Sequence, residues 1–310
     1  MKAVRIHQYG GPEVLVYEDA PTPTILADEV LIKVYASGVN PVDWKIREGL
    51  RKAVFPSPLP LTLGWDASGV IDSVGADVHD FKKGDQVYTH PPLTQNGTYA
   101  EFVAVKASEV ALKPRSIDHT IASSVPLAAL TAWQALFDHG KLQAGQKVLI
   151  LGASGGVGSF AVQLAKWKKA FVTGVCSSRN IEFMRVIKAD QVIDYKTTRI
   201  EDVVKDADLV FDAAGGDTKP AGWKVLKPGG TFVSITGKPD TNDPSSTGKN
   251  AVGFIVTPSK EQLTQIAALI DEGYVKPVVS TVLPLSDAVK AQNMLQQARN
   301  IRGKIVLKVV

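Results

Sequence analysis

The sequence is poor in cysteine: Cys176 is the only one among 310 residues. A single cysteine excludes an intramolecular disulfide and a structural zinc site built on cysteines, and it is typical of a reducing compartment. Lysine and arginine number 35 against 31 aspartates and glutamates, and no stretch concentrates them densely enough to follow a phosphodiester backbone. We therefore expect no nucleic acid among the partners.

Long apolar runs are also missing. No stretch approaches about 18 consecutive apolar residues, the length that a membrane-spanning helix needs. The amino-terminal segment MKAVRIHQYG lacks the apolar centre of a secretion signal. Internal repeats and low-complexity tracts are absent as well. These absences predict a cytoplasmic protein with no membrane span.

Apolar residues make up 45% of the 310 positions, which is enough for two domains. Before about residue 120 the chain shows short β-rich runs, such as EVLIKVYASGVN and ASGVIDSVG, between Pro, Gly and Asp turns. After it, apolar strands alternate with helices, as in KVLILGA followed by SFAVQLAKWKKA. The predicted fold class is α/β, with a mostly-β domain and a doubly wound parallel-sheet domain. The carboxyl-terminal tail ends in a β-rich segment and is a candidate to complete the first domain.

The segment VLILGASGGVGSFAVQLAK combines a buried strand, a glycine-rich turn and an amphipathic helix. The dinucleotide fingerprint G-x-G-x-x-G falls on Ala153, Gly155 and Gly158, so its first glycine is replaced. A turn needed only for tight packing is the alternative. The strand before the turn and the helix after it favour phosphate binding at the helix amino terminus. The predicted phosphate-binding residues are Ala153, Ser154, Gly155, Gly156, Val157 and Gly158.

The end of the following strand, FVTGVC, points to the choice of cofactor. NAD-binding proteins place an Asp or Glu there to accept from the ribose 2′-hydroxyl, whereas an Arg suits the 2′-phosphate of NADP. Here the strand is followed by Ser177, Ser178 and Arg179, which are hydrogen-bond donors and a cation. The alternative is that these residues only cap the helix NIEFMR. The segment predicts NADPH rather than NADH.

Seven motifs spread over nearly the whole chain carry a resemblance to a known family. They are SGVNPVDWKIREG, LGWDASGVIDSVG, KKGDQVY, GTYAEFV, VPLAALTAWQAL, GASGGVG and ADQVIDY. On these motifs the chain resembles the medium-chain dehydrogenase/reductases, and among them the zinc-independent quinone oxidoreductases and the related alkenal and enone reductases.

The resemblance implies a GroES-like domain over residues 1–121, completed by residues 275–310, and a Rossmann domain over 122–274, with NADPH in the cleft between them. Asn40 stands where zinc-dependent relatives place a metal-binding Cys, and Trp65 replaces one of their His ligands. A zinc site needs about three Cys, His or carboxylate ligands, so we expect no metal, and a zinc alcohol dehydrogenase is disfavoured.

Without a metal, the expected reaction is hydride transfer from NADPH to a quinone or to the alkene of an α,β-unsaturated carbonyl. Asn40 and Asp43 match family positions beside the nicotinamide, although holding a turn is an equal alternative. Lys45 is a candidate donor to the acceptor oxygen, although a solvated surface lysine is the preferred alternative. Thr131 and Tyr195 match positions that contact the cofactor in relatives. A protein that binds NADPH with little turnover, as crystallin or sensor members do, stays open as an alternative. The resemblance, together with an apolar edge segment AVGFIVTPS, predicts a homodimer.

Overall fold

A computed structural model describes residues 1–297 and 301–310. The chain divides into two compact units. The first comprises Met1–Leu127, Thr257–Gly273 and Pro277–Val310, and the second comprises Ala128–Val256 and Tyr274–Lys276. The first unit thus contains residues 257–273, which the sequence-based boundaries place with the other domain. In the part of the chain that the structure describes, no helix is both long and apolar enough to span a membrane.

Sixteen strands occur among the described residues, and most follow β-branched or alternating runs of the sequence. They are β1 (Lys2–Ile6), β2 (Leu15–Asp19), β3 (Glu29–Val39), β4 (Leu61–Thr62), β5 (Ala67–Val74), β6 (Gln86–Thr89), β7 (Phe102–Lys106), β8 (Val110–Leu112), β9 (Lys147–Leu151), β10 (Phe171–Cys176), β11 (Gln191–Asp194), β12 (Ala207–Asp212), β13 (Leu226–Ser234), β14 (Asn250–Gly253), β15 (Val279–Pro284) and β16 (Lys304–Lys308).

The α-helices within the same residues are α1 (Pro41–Arg47), α2 (His119–Ala122), α3 (Pro126–Trp133), α4 (Gly156–Trp167), α5 (Ile181–Val186), α6 (Ile200–Val203), α7 (Lys219–Val225), α8 (Lys260–Asp271) and α9 (Ala288–Gln297). Two of them, α2 and α8, begin at a side chain that caps them. Ser259 caps α8 by accepting from the N–H of Gln262 at 3.2 Å, and Asp118 caps α2 by accepting from the N–H of Ile121 at 2.8 Å.

The first unit is built around a seven-stranded sheet. Its strand order is β15-β16-β3-β5-β6-β8, and β7 also pairs with β3. Strand β16 lies antiparallel to β3, with Ile305 opposite Val39 and Lys308 opposite Ala36. The tail therefore adds a strand to the sheet of this unit. The tail ends in the β-rich segment expected, β16, and before it lies helix α9, which the sequence pattern does not predict.

The second unit contains a six-stranded, all-parallel sheet in the order β11-β10-β9-β12-β13-β14. From β9 the order runs outward in both directions, which is the doubly wound arrangement expected from the alternation of strands and helices. Buried residues of β9, β12 and β13, among them Leu149, Val210 and Phe232, form one hydrophobic core. The predicted α/β class, with a GroES-like unit and a Rossmann unit, is confirmed. The predicted edge strand in AVGFIVTPS is present as β14, which ends at Gly253.

Candidate functional site

The glycine-rich turn lies at the carboxyl end of β9 and leads directly into α4. Gly152 has φ +75°, a conformation that favours glycine, and Gly155 precedes the helix in an extended conformation with φ −75° and ψ 179°. Among the residues that the structure describes, no side chain caps the amino terminus of α4. The first N–H groups of a helix have no intrahelical acceptor, so this end presents donors suited to an anion.

The glycines of the turn serve two different purposes. A Cβ on Gly158 would lie 2.2 Å from the carbonyl oxygen of Gly152, so Gly158 is required for close packing of the helix on the turn. A Cβ on Gly155 would meet only that same oxygen, at 3.4 Å, which is an ordinary contact. Gly155 is therefore not demanded by packing, and its bare backbone leaves room for a ligand to approach. Gly155, Gly156 and Val157 are partly exposed.

Two other residues of the predicted phosphate-binding set have clear partners inside the unit. Ala153 is fully buried, and its N–H donates to the carbonyl oxygen of Val175 at 3.0 Å. The hydroxyl of Ser154 accepts from the side-chain amide of Asn180 at 2.9 Å. This bond joins the glycine turn to the segment that follows β10, so both parts of the predicted cofactor site lie side by side.

The segment after β10 contains Ser177, Ser178 and Arg179. Ser177 is buried, and its Oγ has no hydrogen-bond partner among the described residues, whereas Ser178 and Arg179 are exposed. A buried hydroxyl without a partner is rare in folded proteins and is satisfied when a polar ligand binds. This orphaned atom, the uncapped helix and the open face of Gly155 fit a dinucleotide. The buried Cys176 before them has its pKa raised to about 11 by burial, so it is a thiol.

A carboxylate is present beside this segment, which sequence inspection missed. The last residue of β11, Asp194, lies opposite Cys176 in the parallel pairing, and its Oδ2 accepts from the hydroxyl of Ser178 at 2.5 Å. The pKa of Asp194 is lowered, and this hydrogen bond is the largest cause. Because Asp194 comes from the neighbouring strand rather than from the end of β10, the usual spacing rule does not find it.

Tyr195 and Thr131 complete the predicted cofactor-binding set. Tyr195 follows β11 with 45% of its surface exposed, and its N–H donates to the carbonyl oxygen of Cys176 at 3.2 Å. That bond places Tyr195 beside the end of β10. Thr131 is buried within α3.

In the first unit, Asn40 and Asp43 lie at the amino terminus of α1, and both are buried. The Oδ2 of Asp43 accepts from the N–H of Asn40 at 2.8 Å and from the hydroxyl of Tyr99 at 2.6 Å. Burial raises the pKa of Asp43 to about 7. These contacts give Asp43 a structural task, which is to hold the start of α1.

The side chain of Asn40 is held by a buried ion pair that the sequence did not reveal. Its amide Nδ2 donates to Oδ2 of Asp66 at 2.8 Å, and its Oδ1 accepts from the ammonium of Lys304. Lys304 also donates to Oδ2 of Asp66 at 3.1 Å. The contacts with Asp66 and Lys304 thus fix which way the amide of Asn40 points. The one indication of this ion pair in the sequence is Lys304, a lysine at the start of the apolar segment KIVLK.

Lys45 has a different environment from Asn40 and Asp43. It is half-buried on α1, with its ammonium 5.6 Å from the centre of the Trp44 ring. Burial, followed by the nearby charge of Arg51, lowers the pKa of Lys45. The contacts of Lys45 do not join it to the Asn40 network.

The residues at the former zinc positions are Asn40 and Trp65. Trp65 is fully buried, and its indole Nε1 has no partner in the described part of the chain. His90 is also buried, with Nδ1 2.7 Å from the carbonyl oxygen of Trp65. Within residues 1–297 and 301–310, no group of three His, Cys, Asp or Glu side chains is arranged to hold a metal ion.

Comparison with known proteins agrees with this architecture. Residues 26–115 match the alcohol dehydrogenase GroES-like domain, and residues 187–307 match the zinc-binding dehydrogenase family. A GroES-like unit together with a Rossmann unit defines the class of medium-chain dehydrogenase/reductases.

Individual relatives indicate which family within this class the chain belongs to. The chain is 37% identical to the mitochondrial NAD(P)H oxidoreductase RTN4IP1 of Bos taurus, over 100% of this chain and 89% of the relative. It is 38% identical to the chloroplastic NADPH-dependent alkenal/one oxidoreductase of Arabidopsis thaliana, over 99% of this chain and 79% of the relative. The quinone oxidoreductase from Coxiella burnetii superposes with a TM-score of 0.92 at 33% identity, covering 100% of this chain and 99% of that one.

The chain belongs to the quinone oxidoreductase family of the medium-chain dehydrogenase/reductases, and it is an oxidoreductase. The names of the two relatives place them in mitochondria and chloroplasts, so a cytoplasmic location stays a prediction.

Proposed function

We propose that this protein is an NADPH-dependent reductase of quinones or of the alkene of α,β-unsaturated carbonyls, and that it works without a metal. The observation that carries the proposal is the glycine turn, with its uncapped helix terminus beside the Ser177–Arg179 segment. Relatives named as NAD(P)H and NADPH oxidoreductases support the choice of cofactor.

In this proposal the backbone of the turn binds the pyrophosphate. The N–H groups of Gly156 and Val157, at the partly exposed start of α4, donate to phosphate oxygens, and Gly155 allows the close approach. Ala153, Ser154 and Gly158 keep the turn in shape through their contacts with neighbouring elements.

The adenosine end is bound by residues after β10 and β11. Arg179 would hold the 2′-phosphate with charge-assisted hydrogen bonds, the buried hydroxyl of Ser177 would gain a polar partner, and Ser178 and Tyr195 would lie beside the ribose. Thr131, on α3, would also contact the cofactor. The bound cofactor supplies the hydride.

Asn40, Asp43 and Lys45 of the first unit are the residues that we propose for binding the acceptor. An amide nitrogen carries two hydrogens, and Asp66 accepts one of those on Asn40, which leaves the second to bind the acceptor oxygen. Asp43 holds the start of the helix that follows Asn40, and Lys45 offers a partly buried cation with a lowered pKa. A donor to the developing oxyanion favours reduction of quinones and enones.

Metal-free operation rests on the residues at the former zinc positions. Asn40 and Trp65 are poor metal ligands compared with Cys and His, and Asn40 is engaged by Asp66 and Lys304. An aliphatic alcohol needs a metal or a base to lose its proton, so we expect little oxidation of simple alcohols.

The test is NADPH consumption by the purified protein with a panel of quinones, enals, enones and simple alcohols, followed by product analysis. We expect the saturated ketone from an enone. The allylic alcohol as product would refute the proposed site of hydride delivery, and no consumption with any acceptor would refute the reductase. The Gly155→Ala variant is the control, because its Cβ intrudes on the ligand side with only a 3.4 Å contact to the protein.

We also propose that the protein is a homodimer. Strand β14 is the edge of the second unit's sheet, and beyond it Ile255 exposes 49% of its surface. An exposed apolar edge favours pairing with another copy. Light scattering that shows only a monomer at micromolar concentration would refute the dimer.

A further inference from the structure

The bond between Ser178 and Asp194 decides what Ser178 can offer to a ligand. The carboxylate of Asp194 accepts hydrogen bonds from the Ser178 hydroxyl at 2.5 Å and from the N–H of Lys196 at 3.0 Å. Its lowered pKa keeps it ionised at neutral pH, so it has no hydrogen to donate. The shared hydrogen is therefore that of Ser178, and the serine oxygen presents only lone pairs to anything that binds beside it.

Sheet order places this pair next to the glycine turn. Strand β10 lies between β9 and β11, and Cys176 is paired with Asp194 at their carboxyl ends. The bond from Asn180 to Ser154 ties the segment after β10 to the turn. In doubly wound sheets the ribose of the adenosine lies beyond the end of the second strand, which here is β10.

The two nicotinamide cofactors make opposite demands on such a pair. A 2′-hydroxyl can donate to the oxygen of Ser178 or to the carboxylate of Asp194. A 2′-phosphate, which is mostly a dianion above about pH 7, offers only acceptors and is repelled by the carboxylate. Arg179 lies on the same segment, and its charge acts in the other direction.

We infer that the Ser178–Asp194 pair is an NADH-favouring determinant that opposes Arg179. The two together make the protein accept both dinucleotides, with Asp194 limiting its preference for NADPH. The inference rests on the proposed function, because it requires that the turn and the adjoining segment bind a nicotinamide dinucleotide.

The decisive variant is Asp194→Asn. An asparagine keeps an oxygen for the N–H of Lys196, removes the charge, and can donate to the Ser178 oxygen, which releases the serine hydrogen toward the ligand. We expect the ratio of the dissociation constants, Kd for NADH over Kd for NADPH, to rise about tenfold, mainly through tighter NADPH binding. Thermal unfolding of the variant checks that it is folded.

Asp190→Asn is the matched control. Asp190 lies just before the other end of β11, where its carboxylate binds the ammonium of Lys166 at 2.7 Å. The variant removes the same charge beside the opposite end of the same strand, at a distance of roughly four strand residues or ~13 Å. We expect the ratio for this variant to equal that of the wild type.

Ser178→Ala gives a second measurement that does not depend on the Asp194 variant. It removes the hydroxyl that covers the carboxylate, so Asp194 faces the ligand directly. We expect the preference to move toward NADH by about threefold, since a 2′-hydroxyl can then donate to the carboxylate and a 2′-phosphate meets it uncovered.

Each purified variant is titrated with NADPH and with NADH at about pH 8, with no substrate present. Binding is measured by isothermal titration calorimetry or by tryptophan fluorescence. A shift toward NADPH in Asp194→Asn together with a shift toward NADH in Ser178→Ala supports the inference. An unchanged ratio in Asp194→Asn, or a shift toward NADPH in Ser178→Ala, overturns it while leaving the proposed function intact. A wild-type protein that binds neither dinucleotide overturns the proposed function, and this inference with it.

Discussion

Replacing Lys304 by methionine tests whether the buried ion pair holds the first unit together. Lys304 is 5% exposed and Asp66 is fully buried. The Oδ2 of Asp66 accepts from Lys304 at 3.1 Å and from Asn40 at 2.8 Å, while its Oδ1 accepts from the N–H of Leu127 at 2.6 Å. Lys304→Met leaves two of these three bonds in place but removes the one formal positive charge among these three donors.

The magnitude follows from the cost of an unpaired buried charge. Removing one partner of a buried pair costs about 3 to 5 kcal/mol. The two remaining donors to Asp66 keep the carboxylate partly satisfied, so we expect a loss at the lower end, about 3 kcal/mol. That is a large part of the roughly 5 to 15 kcal/mol by which proteins are stable. The double variant Asp66→Asn/Lys304→Met removes both charges, and we expect it to regain more than half of the loss.

The assay is urea unfolding followed by fluorescence and circular dichroism. The control is Lys308→Met, because Lys308 is an exposed lysine on the same strand, and we expect its free energy of unfolding to change by at most about 0.5 kcal/mol. If Lys304→Met loses no more stability than Lys308→Met, the ion pair does not stabilise the fold. If the double variant is less stable than Lys304→Met, the loss does not come from an unpaired Asp66.

The remaining predictions concern the cofactor, the turn, pH and metal. Arg179→Ala should weaken NADPH binding by about 10- to 150-fold and hardly change NADH binding, measured by fluorescence titration. Gly158→Ala should lower the melting temperature, because its Cβ would lie 2.2 Å from the Gly152 carbonyl oxygen, whereas Gly155→Ala should weaken NADPH binding at least tenfold at unchanged melting temperature. The pKa of Asp43 is raised from 3.8 to about 7, so its contribution to stability is present below about pH 4 and lost as the pH rises to about 7. The free energy of unfolding of Asp43→Asn minus that of the wild type should therefore rise by up to about 4 kcal/mol between about pH 4 and pH 7. Activity should survive exhaustive chelation, with no zinc found by elemental analysis.

Each of these predictions has an outcome that contradicts it. Equal losses of NADPH and NADH binding in Arg179→Ala would show that Arg179 only starts the helix after β10. A lower melting temperature for Gly155→Ala would show that packing demands this glycine too. A difference between Asp43→Asn and wild type that is equal at about pH 4 and pH 7 would contradict the raised pKa. Stoichiometric zinc that is lost together with activity would contradict metal-free chemistry.

The glycine turn is the part of the site that the sequence predicts best. Its strand, turn and helix follow one another in the chain, and bonds such as the one from Ser159 N–H to the carbonyl oxygen of Gly155, at 2.9 Å, close within a few residues. Local interactions of this kind depend only on the order of the residues. The assignment of the turn to β9 and α4 therefore needed no tertiary information.

Helix α9 shows where local pattern is insufficient. Its buried residues are Ala288, Ala291 and Gln292, a narrow and partly polar face that does not stand out in a β-rich tail. A glutamine is buried on this face because it binds Arg47 of α1. The side-chain oxygen of Gln292 accepts from the fully buried guanidinium of Arg47 at 2.8 Å. The two residues are 245 positions apart.

By itself, the sequence determined the class of fold, the position of the glycine turn and the family, because these depend on contiguous motifs. Only the tertiary structure decided which side chains reach those motifs. Lys304 lies 264 residues from Asn40 and meets it because β16 pairs with β3. Asp194 meets Ser178 because β11 adds to the edge of β10. Hydrogen bonds of this kind follow from the order of strands in a sheet, and that order is set by the packing of the whole unit rather than by any segment's own periodicity.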